Sequence, residues 1–352
     1  TRASSANRPV KILISSYVFS PSVGGIETVS ALLAPEFVSA GHEVILITHT
    51  RADDGLTWPF QVIRRPGLRR LIELVGWCDV YFQNNISLSY AWPLLLVSKP
   101  WIIAHHTWLG RFQGDRDWKG EIKRTLLKYG TNATISRPVA CDIPVPSTIV
   151  GNPYSKNLFK DRPYIARERE LVYLGRLVSD KGVDLLLESM AQLRTQGLHP
   201  RLTIIGSGPE EIPLRRLAKE RQIEDQVDFL GSKGHEEISR LLNAHEVLVV
   251  PSQWPEPFGI VALEGLASGC VVVASQAGGL PEVVGRCGVT FSIRNIEELT
   301  ECLSRLLTQP ELRQRLLRGV GEHLKQYEPA TVAARYLAIF ERALLTNAPS
   351  CR

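Results

Sequence analysis

An α/β chain made of two Rossmann-like units is what this sequence predicts, on three observations. Its 352 residues exceed the roughly 150 of one ordinary domain. Its second half alternates short, nearly continuous apolar runs with helical stretches, the pattern of parallel strands covered on both faces. Its beginning holds a strand, a glycine turn, a helix and a second strand in succession.

The elements follow in order. Residues 10–17 are β-branched and apolar, and Pro21 to Gly25 reads as a turn. Residues 26–41 have helical spacing and end on Gly41, and residues 43–49 are again strand-like. In the second half, strands are expected at 171–175, 201–206, 227–231, 246–252 and 271–275. Helices between them begin near Lys181, Glu210, His235, Gly259 and Gly279. The Pro-rich stretch from Pro144 to Pro163 suits a domain boundary. The expected organisation is therefore residues 1–155 as one unit and 156–325 as the other. Beyond Asn295 the chain reads as helix, interrupted near Pro310 and at Glu328-Pro329.

Composition narrows the class. Hydrophobic residues make up 44% and charged residues 22%, enough apolar content for packed cores. No apolar run approaches the ~18 residues of a membrane-spanning helix, and the first residues show no secretory pattern. Six cysteines without a C-x-x-C pair read as ordinary thiols of a reducing compartment. A cytoplasmic location is the expectation, with peripheral contact to the inner face of a membrane as a variant of it. The net charge of +5 resides in the first half, which has 16 Lys/Arg against 11 Asp/Glu through residue 155. Its clusters, Arg64, Arg65, Arg69 and Arg70 and then Arg111 to Lys128, suit either a solvated face or an anionic partner.

The segment from Pro251 to Cys270 carries the strongest chemical signal. Glu256 follows a strand's carboxyl end, where open α/β sheets bind their ligands. Glu264 follows eight residues later, on a helix among Ile260, Val261 and Ala267. A carboxylate in such surroundings needs donors, and no Lys or Arg is near it in sequence; ligand hydroxyls would serve. Arg176 and Lys181 follow another strand end and suit a diphosphate. Lys181 at a helix N-terminus is electrostatically poor unless an anion binds there. Gly24 and Gly25 let backbone amides approach phosphate.

Together these stretches resemble glycosyltransferase family 4, retaining enzymes of the GT-B fold. Glu256 to Glu264 matches its E-x7-E signature, and Gly24-Gly25 with Glu27 matches its first glycine loop. Gly175-Arg176 with Lys181-Gly182, Gly206-Ser-Gly208-Pro209, and Gly278-Gly279 with Glu282 match three further motifs. The resemblance implies two Rossmann-like domains facing across a cleft, with an acceptor domain first and a nucleotide-sugar donor domain second. It also implies a C-terminal helix, 326–352, that crosses back to the first domain.

The implied activity is transfer of a sugar from a UDP-, GDP- or ADP-sugar to a glycan or lipid-linked acceptor. Arg176 and Lys181 would hold the diphosphate, as would Gly24, Gly25, Gly206 and Gly208. Glu264 would hold the ribose, and Glu256 with the amides of Phe258 and Gly259 the donor sugar. His106 would contact the transferred sugar, while His105 is expected to be structural. Asn152 resembles an interdomain Asn of the family, although Pro153 stands where a glycine is usual.

No cofactor and no metal are implied, despite a literal D-x-D at Asp115 and Asp117. A nicotinamide dehydrogenase is disfavoured because Gly206-Ser-Gly208 lacks the third glycine of G-x-G-x-x-G. The alternatives that remain are a GT-B nucleotide-sugar epimerase and a non-catalytic sugar-nucleotide-binding protein; nucleic acid is not an expected partner.

Overall fold

The computed structural model describes residues 8–21, 24–51, 55–109 and 118–346. They form two compact units, one running to Pro153 and completed by the helix Pro329–Thr346, the other spanning Tyr154–Glu328.

Among the described residues, the first unit is built on seven strands: β1 Lys11–Ser16, β2 Glu43–Thr48, β3 Gln61–Arg64, β4 Val80–Asn84, β5 Trp101–His105, β6 Thr131–Thr134 and β7 Ser147–Ile149. All pair in parallel, in the order β3-β2-β1-β4-β5-β6-β7. Leu13, Ile47, Leu74, Tyr81 and Ile103 form part of one core. The helix Pro329–Thr346 joins this unit through aromatic packing. Phe340 lies 5.5 Å from Phe37 and 5.4 Å from Phe82, and Tyr336 lies 4.9 Å from Phe82, ring centre to ring centre. Arg335 also donates to the Val150 carbonyl at 2.8 Å.

The second unit holds six parallel strands: β8 Arg169–Leu174, β9 Leu202–Ile205, β10 Val227–Gly231, β11 His245–Val250, β12 Val271–Ser275 and β13 Gly288–Phe291. Their order is β10-β9-β8-β11-β12-β13, the doubly wound order of a dinucleotide-binding sheet. Every residue of β12 is buried, which is why its sequence is apolar without alternation. Leu171, Leu186, Ile204, Val249, Val273 and Leu303 belong to one core.

Several strands carry little apolar signal of their own. β6 reads Thr-Asn-Ala-Thr, yet three of its four residues are buried. Asn132 is held by donating to the carbonyls of Leu127 at 2.9 Å and Gly130 at 3.0 Å. β3 lies in the stretch between residues 50 and 71 that reads as unusually short for this fold; four residues suffice for an edge strand there. The helix expected from Lys181 begins at Val183, because Ser179–Lys181 form a 3₁₀ turn and Gly182 adopts φ 70°. Among the described residues no helix is long and apolar enough to cross a membrane.

Candidate active site

In the second unit the strand order reverses between β8 and β11, and the loops leaving these two strands flank the crevice where such sheets bind ligands. The β8 loop carries Arg176 and Lys181; the β11 loop carries Ser252 and Glu256. Main-chain contacts stitch the loops together. The amides of Gln253 and Trp254 donate to the Asp180 carbonyl at 2.8 and 3.3 Å. A Cβ on Gly182 would overlap the Pro251 carbonyl oxygen.

Side chains complete the arrangement. Lys181 and Glu256, both largely buried, form an ion pair. Ser252 donates its hydroxyl to the same Glu256 oxygen, Oε1, at 2.8 Å. The two residues expected to serve diphosphate and sugar separately thus hold each other. Arg176 is exposed and has no ion-pair or hydrogen-bond partner for its guanidinium among the described residues. Its carbonyl is fixed by the Tyr173 hydroxyl at 2.9 Å. Burial raises the Tyr173 pKa, with Glu256 and Asp180 adding to the rise, so this hydroxyl remains a donor.

The motif glycines are required by backbone approach. Gly206 adopts φ 140°, and a Cβ there would overlap the Gly175 carbonyl oxygen; one on Gly208 would overlap that of Leu177. The amides of Gly175 and Leu177 donate to Ile205 and Ser207, both at 3.0 Å. Gly278, at φ 61°, sits against the Glu256 carbonyl, to which Gly279 donates at 2.8 Å. The loop pairs 175–177 with 205–208, and 256 with 278–279, are therefore locked. That locking fixes where Arg176 and Glu256 emerge.

Gly259 adopts φ 98° and caps the helix Ile260–Ala267. Phe258 is buried edge-on to Tyr327, with ring centres 5.7 Å apart. One turn into this helix, Glu264 is half-buried, and burial alone lifts its pKa to about 7. No protein donor reaches its carboxylate among the described residues. A partly desolvated carboxylate without a donor is poised to accept hydrogen bonds from ligand hydroxyls.

In the first unit, β1 leads toward Gly24, which precedes the helix Gly25–Ser39. The Gly24 carbonyl accepts from the Thr28 amide at 3.2 Å and hydroxyl at 2.7 Å, and the Glu27 carboxylate folds back over the Gly24 Cα. β5 leads into His106, whose amide donates to Asn85 Oδ1 at 2.8 Å. Its ring is buried beside Asn152, and burial lowers its pKa to about 3, so the imidazole is neutral. Neither ring nitrogen has a well-formed hydrogen bond, nor does Asn152 Oδ1.

His105, by contrast, is satisfied: its Nε2 lies 2.9 Å from Asn132 Oδ1. Because the Asn132 amide nitrogen already donates twice, its oxygen faces the imidazole, and His105 carries its proton on Nε2.

Ser252 and Asn85 were not singled out by the sequence reading. Ser252 is a buried polar residue ending an apolar strand, a signal that was available. Asn85 adopts φ 70°, a conformation Asn tolerates better than most residues, and sequence does not mark it. Asp115 and Asp117 lie outside the described residues; among the described residues no group of three or more His, Cys, Asp or Glu side chains could hold a metal.

This geometry can be set beside known proteins. Residues 155–319 match the family Glycosyl transferases group 1. The match covers the unit that carries Arg176, Lys181, Glu256 and Glu264. An MMP α-(1→4)-mannosyltransferase of Mycolicibacterium hassiacum is 32% identical over 243 residues, 65% of this chain and 59% of that protein. The gpi3 subunit of a phosphatidylinositol N-acetylglucosaminyltransferase of Schizosaccharomyces pombe is 26% identical over 338 residues, 84% of this chain and 72% of that one. The chain spans 59% of the mannosyltransferase and 45% of a Mycobacterium tuberculosis glycogen synthase, so it covers about half the length of such relatives.

Among solved structures, sucrose-phosphate synthase from Thermosynechococcus elongatus superposes with a TM-score of 0.80 at 21% identity, covering 97% of this chain and 100% of that one. Anabaena HepE in complex with UDP and glucose gives 0.78 at 17% identity, covering 94% and 99%. The fold is GT-B, two Rossmann-like α/β units.

Proposed function

We propose that this protein is a retaining glycosyltransferase that moves a sugar from a nucleoside-diphosphate sugar to a hydroxyl of a glycan or lipid-linked acceptor. The observation that carries the reading is the convergence of Arg176, Lys181 and Glu256 on the two loops at the switch point of the second sheet, within the region that matches the glycosyltransferase family. The UDP complex of HepE, a protein of the same fold, agrees with a nucleotide-sugar donor.

In this reading the glycosidic C–O bond to the diphosphate breaks, and the acceptor hydroxyl forms the new bond from the same face while passing its proton to an oxygen of the departing diphosphate. Arg176 and Lys181 stabilise the charge that develops on the departing diphosphate. Glu256 fixes the Lys181 ammonium and presents its second oxygen to the sugar, with the Phe258 and Gly259 amides beside it. Glu264 accepts from the ribose hydroxyls. Gly24 and Gly25 offer amides to phosphate, and neutral His106 hydrogen-bonds the transferred sugar. With two cations at the donor site, no metal ion is required.

A panel of UDP-, GDP- and ADP-sugars tested by thermal shift, followed by donor hydrolysis, checks the reading. The expected result is stabilisation by one nucleotide and slow release of a free sugar with its anomeric configuration kept. Absence of both for every donor overturns it.

A further inference from the structure

Two of the first unit's lysines, Lys99 and Lys128, line an apolar groove away from Arg64–Arg70; Lys99 donates to the Cys78 carbonyl at 2.6 Å, whereas Lys128 is exposed. Arg64 donates to the Ser20 carbonyl, Arg65 to that of His49, and Arg70 pairs with Glu73. The described residues of 88–109 and 118–131, in contrast, carry five basic side chains and one acidic one, Glu121; Glu121 is paired with Arg124 at 3.3 Å.

The same stretch exposes large apolar side chains. Leu95, Leu96 and Tyr129 are 80%, 67% and 74% exposed. Leu95 and Tyr129 border a groove of about 820 Å³, whose floor includes Trp92, Ile122 and Leu126. Lys99 and Lys128 also line it, and no acidic residue does. The groove lies where β5 and β6 begin, at the other end of β5 from His106.

We propose that this face docks on an anionic lipid bilayer. Leu95, Leu96 and Tyr129 enter the boundary between headgroups and acyl chains, and Lys123 and Lys128 meet lipid phosphates. Exposed leucines beside a tyrosine with a lysine rim are suited to such an interface, because lysine stems lie along apolar surface while their ammonium groups stay wet. A second copy is a poor occupant: a symmetric pair would bring two sets of like-charged lysines into one interface whose lining offers no acidic partner. The proposal does not depend on the glycosyltransferase reading.

Co-sedimentation of the full chain with phosphatidylcholine vesicles, with and without phosphatidylglycerol, tests it. Binding is expected only with the anionic lipid and should fall as salt rises from about 0.1 to 1 M, where the screening length shrinks from ~10 to ~3 Å. Lys123→Ala/Lys128→Ala should weaken it roughly thirty-fold, about five-fold per lysine. Leu95→Ser/Leu96→Ser should weaken it too, while Arg69→Ala/Arg70→Ala should not. Melting temperatures and far-UV circular dichroism should be unchanged in all these variants, showing that they fold. Three results would overturn the proposal: no binding to anionic vesicles at low salt, binding indifferent to the leucine and lysine variants, or a dimer in sedimentation velocity that the same substitutions dissolve.

Discussion

At the scale of single residues, the Lys181–Glu256 pair changes what mutagenesis should show. Arg176→Ala removes a cation whose guanidinium has no partner among the described residues, so it should leave stability intact and fall on function, a loss of about 10²–10³ in rate. Lys181→Ala should cost a similar factor and also strand the Glu256 carboxylate. Glu256→Gln should spare nucleotide affinity while depressing transfer. Combined with Lys181→Ala, it should cost less than the sum of the two, the mark of residues acting as one unit. Steady-state kinetics of the three variants would show it, and strict additivity would mean that the pair is not functional.

Glu264 offers a sharper test because stability and function should move in opposite directions. Its folded-state pKa of about 7 lies above the ordinary carboxylate value. The folded protein therefore holds a proton between roughly pH 4.5 and 7 that the unfolded chain has released, and stability falls as pH rises through that window. Glu264→Gln should stabilise the unliganded protein by about 1–3 kcal/mol at pH 8 and leave it unchanged below pH 4.5. Affinity for the free nucleoside diphosphate should nevertheless drop. Chemical denaturation and calorimetric titration would measure the two effects separately.

At the scale of elements, the loop that carries Glu256 depends on a glycine packed against it. Gly278 stands in the left-handed region with its Cα against the Glu256 carbonyl. Gly278→Ala must therefore displace the β11 loop or the turn that supports it. A stability loss of about 1–3 kcal/mol is expected from the backbone conformation alone. Turnover should fall further than the stability loss explains, since Glu256 moves with the loop. A control is Gly234→Ala, where a Cβ meets nothing within 4 Å; it should be nearly silent in both melting temperature and rate.

At the scale of the whole molecule, both units carry buried histidines that fold in the neutral form. Burial lowers the pKa values of His105 and His106 in the first unit and of His245 in the second, that of His106 to about 3. Folded, they bind fewer protons than the unfolded chain below about pH 6.5. The stability they contribute is thus fully present above pH 6.5 and is lost as pH falls. Denaturation midpoints should drop in the first unit between pH 7 and pH 5, and His106→Asn should reduce that drop; in the second unit the proton held by Glu264 opposes the effect of His245. A neutral His106 also means that the pH–rate profile carries no ionisation from this residue near neutrality. In the proposed mechanism Arg176 and Lys181 supply the positive charge, so catalysis should survive chelation by EDTA; loss of activity on chelation and its return with Mn²⁺ would overturn that part of the mechanism.

The second sheet was legible because each of its strands is a local apolar run, and covering both faces of a parallel sheet imposes that run whatever lies elsewhere in the chain. The candidate site was legible for a related reason: Arg176, Lys181 and Glu256 leave strand ends within short spans of sequence, and Glu264 sits on the helix that follows. What the sequence did not reveal rests on partners far apart in the chain. β6 is a strand because the polar side chain of Asn132 is satisfied by local carbonyls and by His105, 27 residues away. Gly206 and Gly208 look like a phosphate loop in sequence, yet close packing against the carbonyls of Gly175 and Leu177 already demands them. The charge excess of the first half was visible by counting. Only the tertiary structure showed that Arg64 and Arg65 are spent on backbone carbonyls while Lys128 lines an apolar groove, because a count of charges holds no information about which carbonyls a folded chain brings within reach.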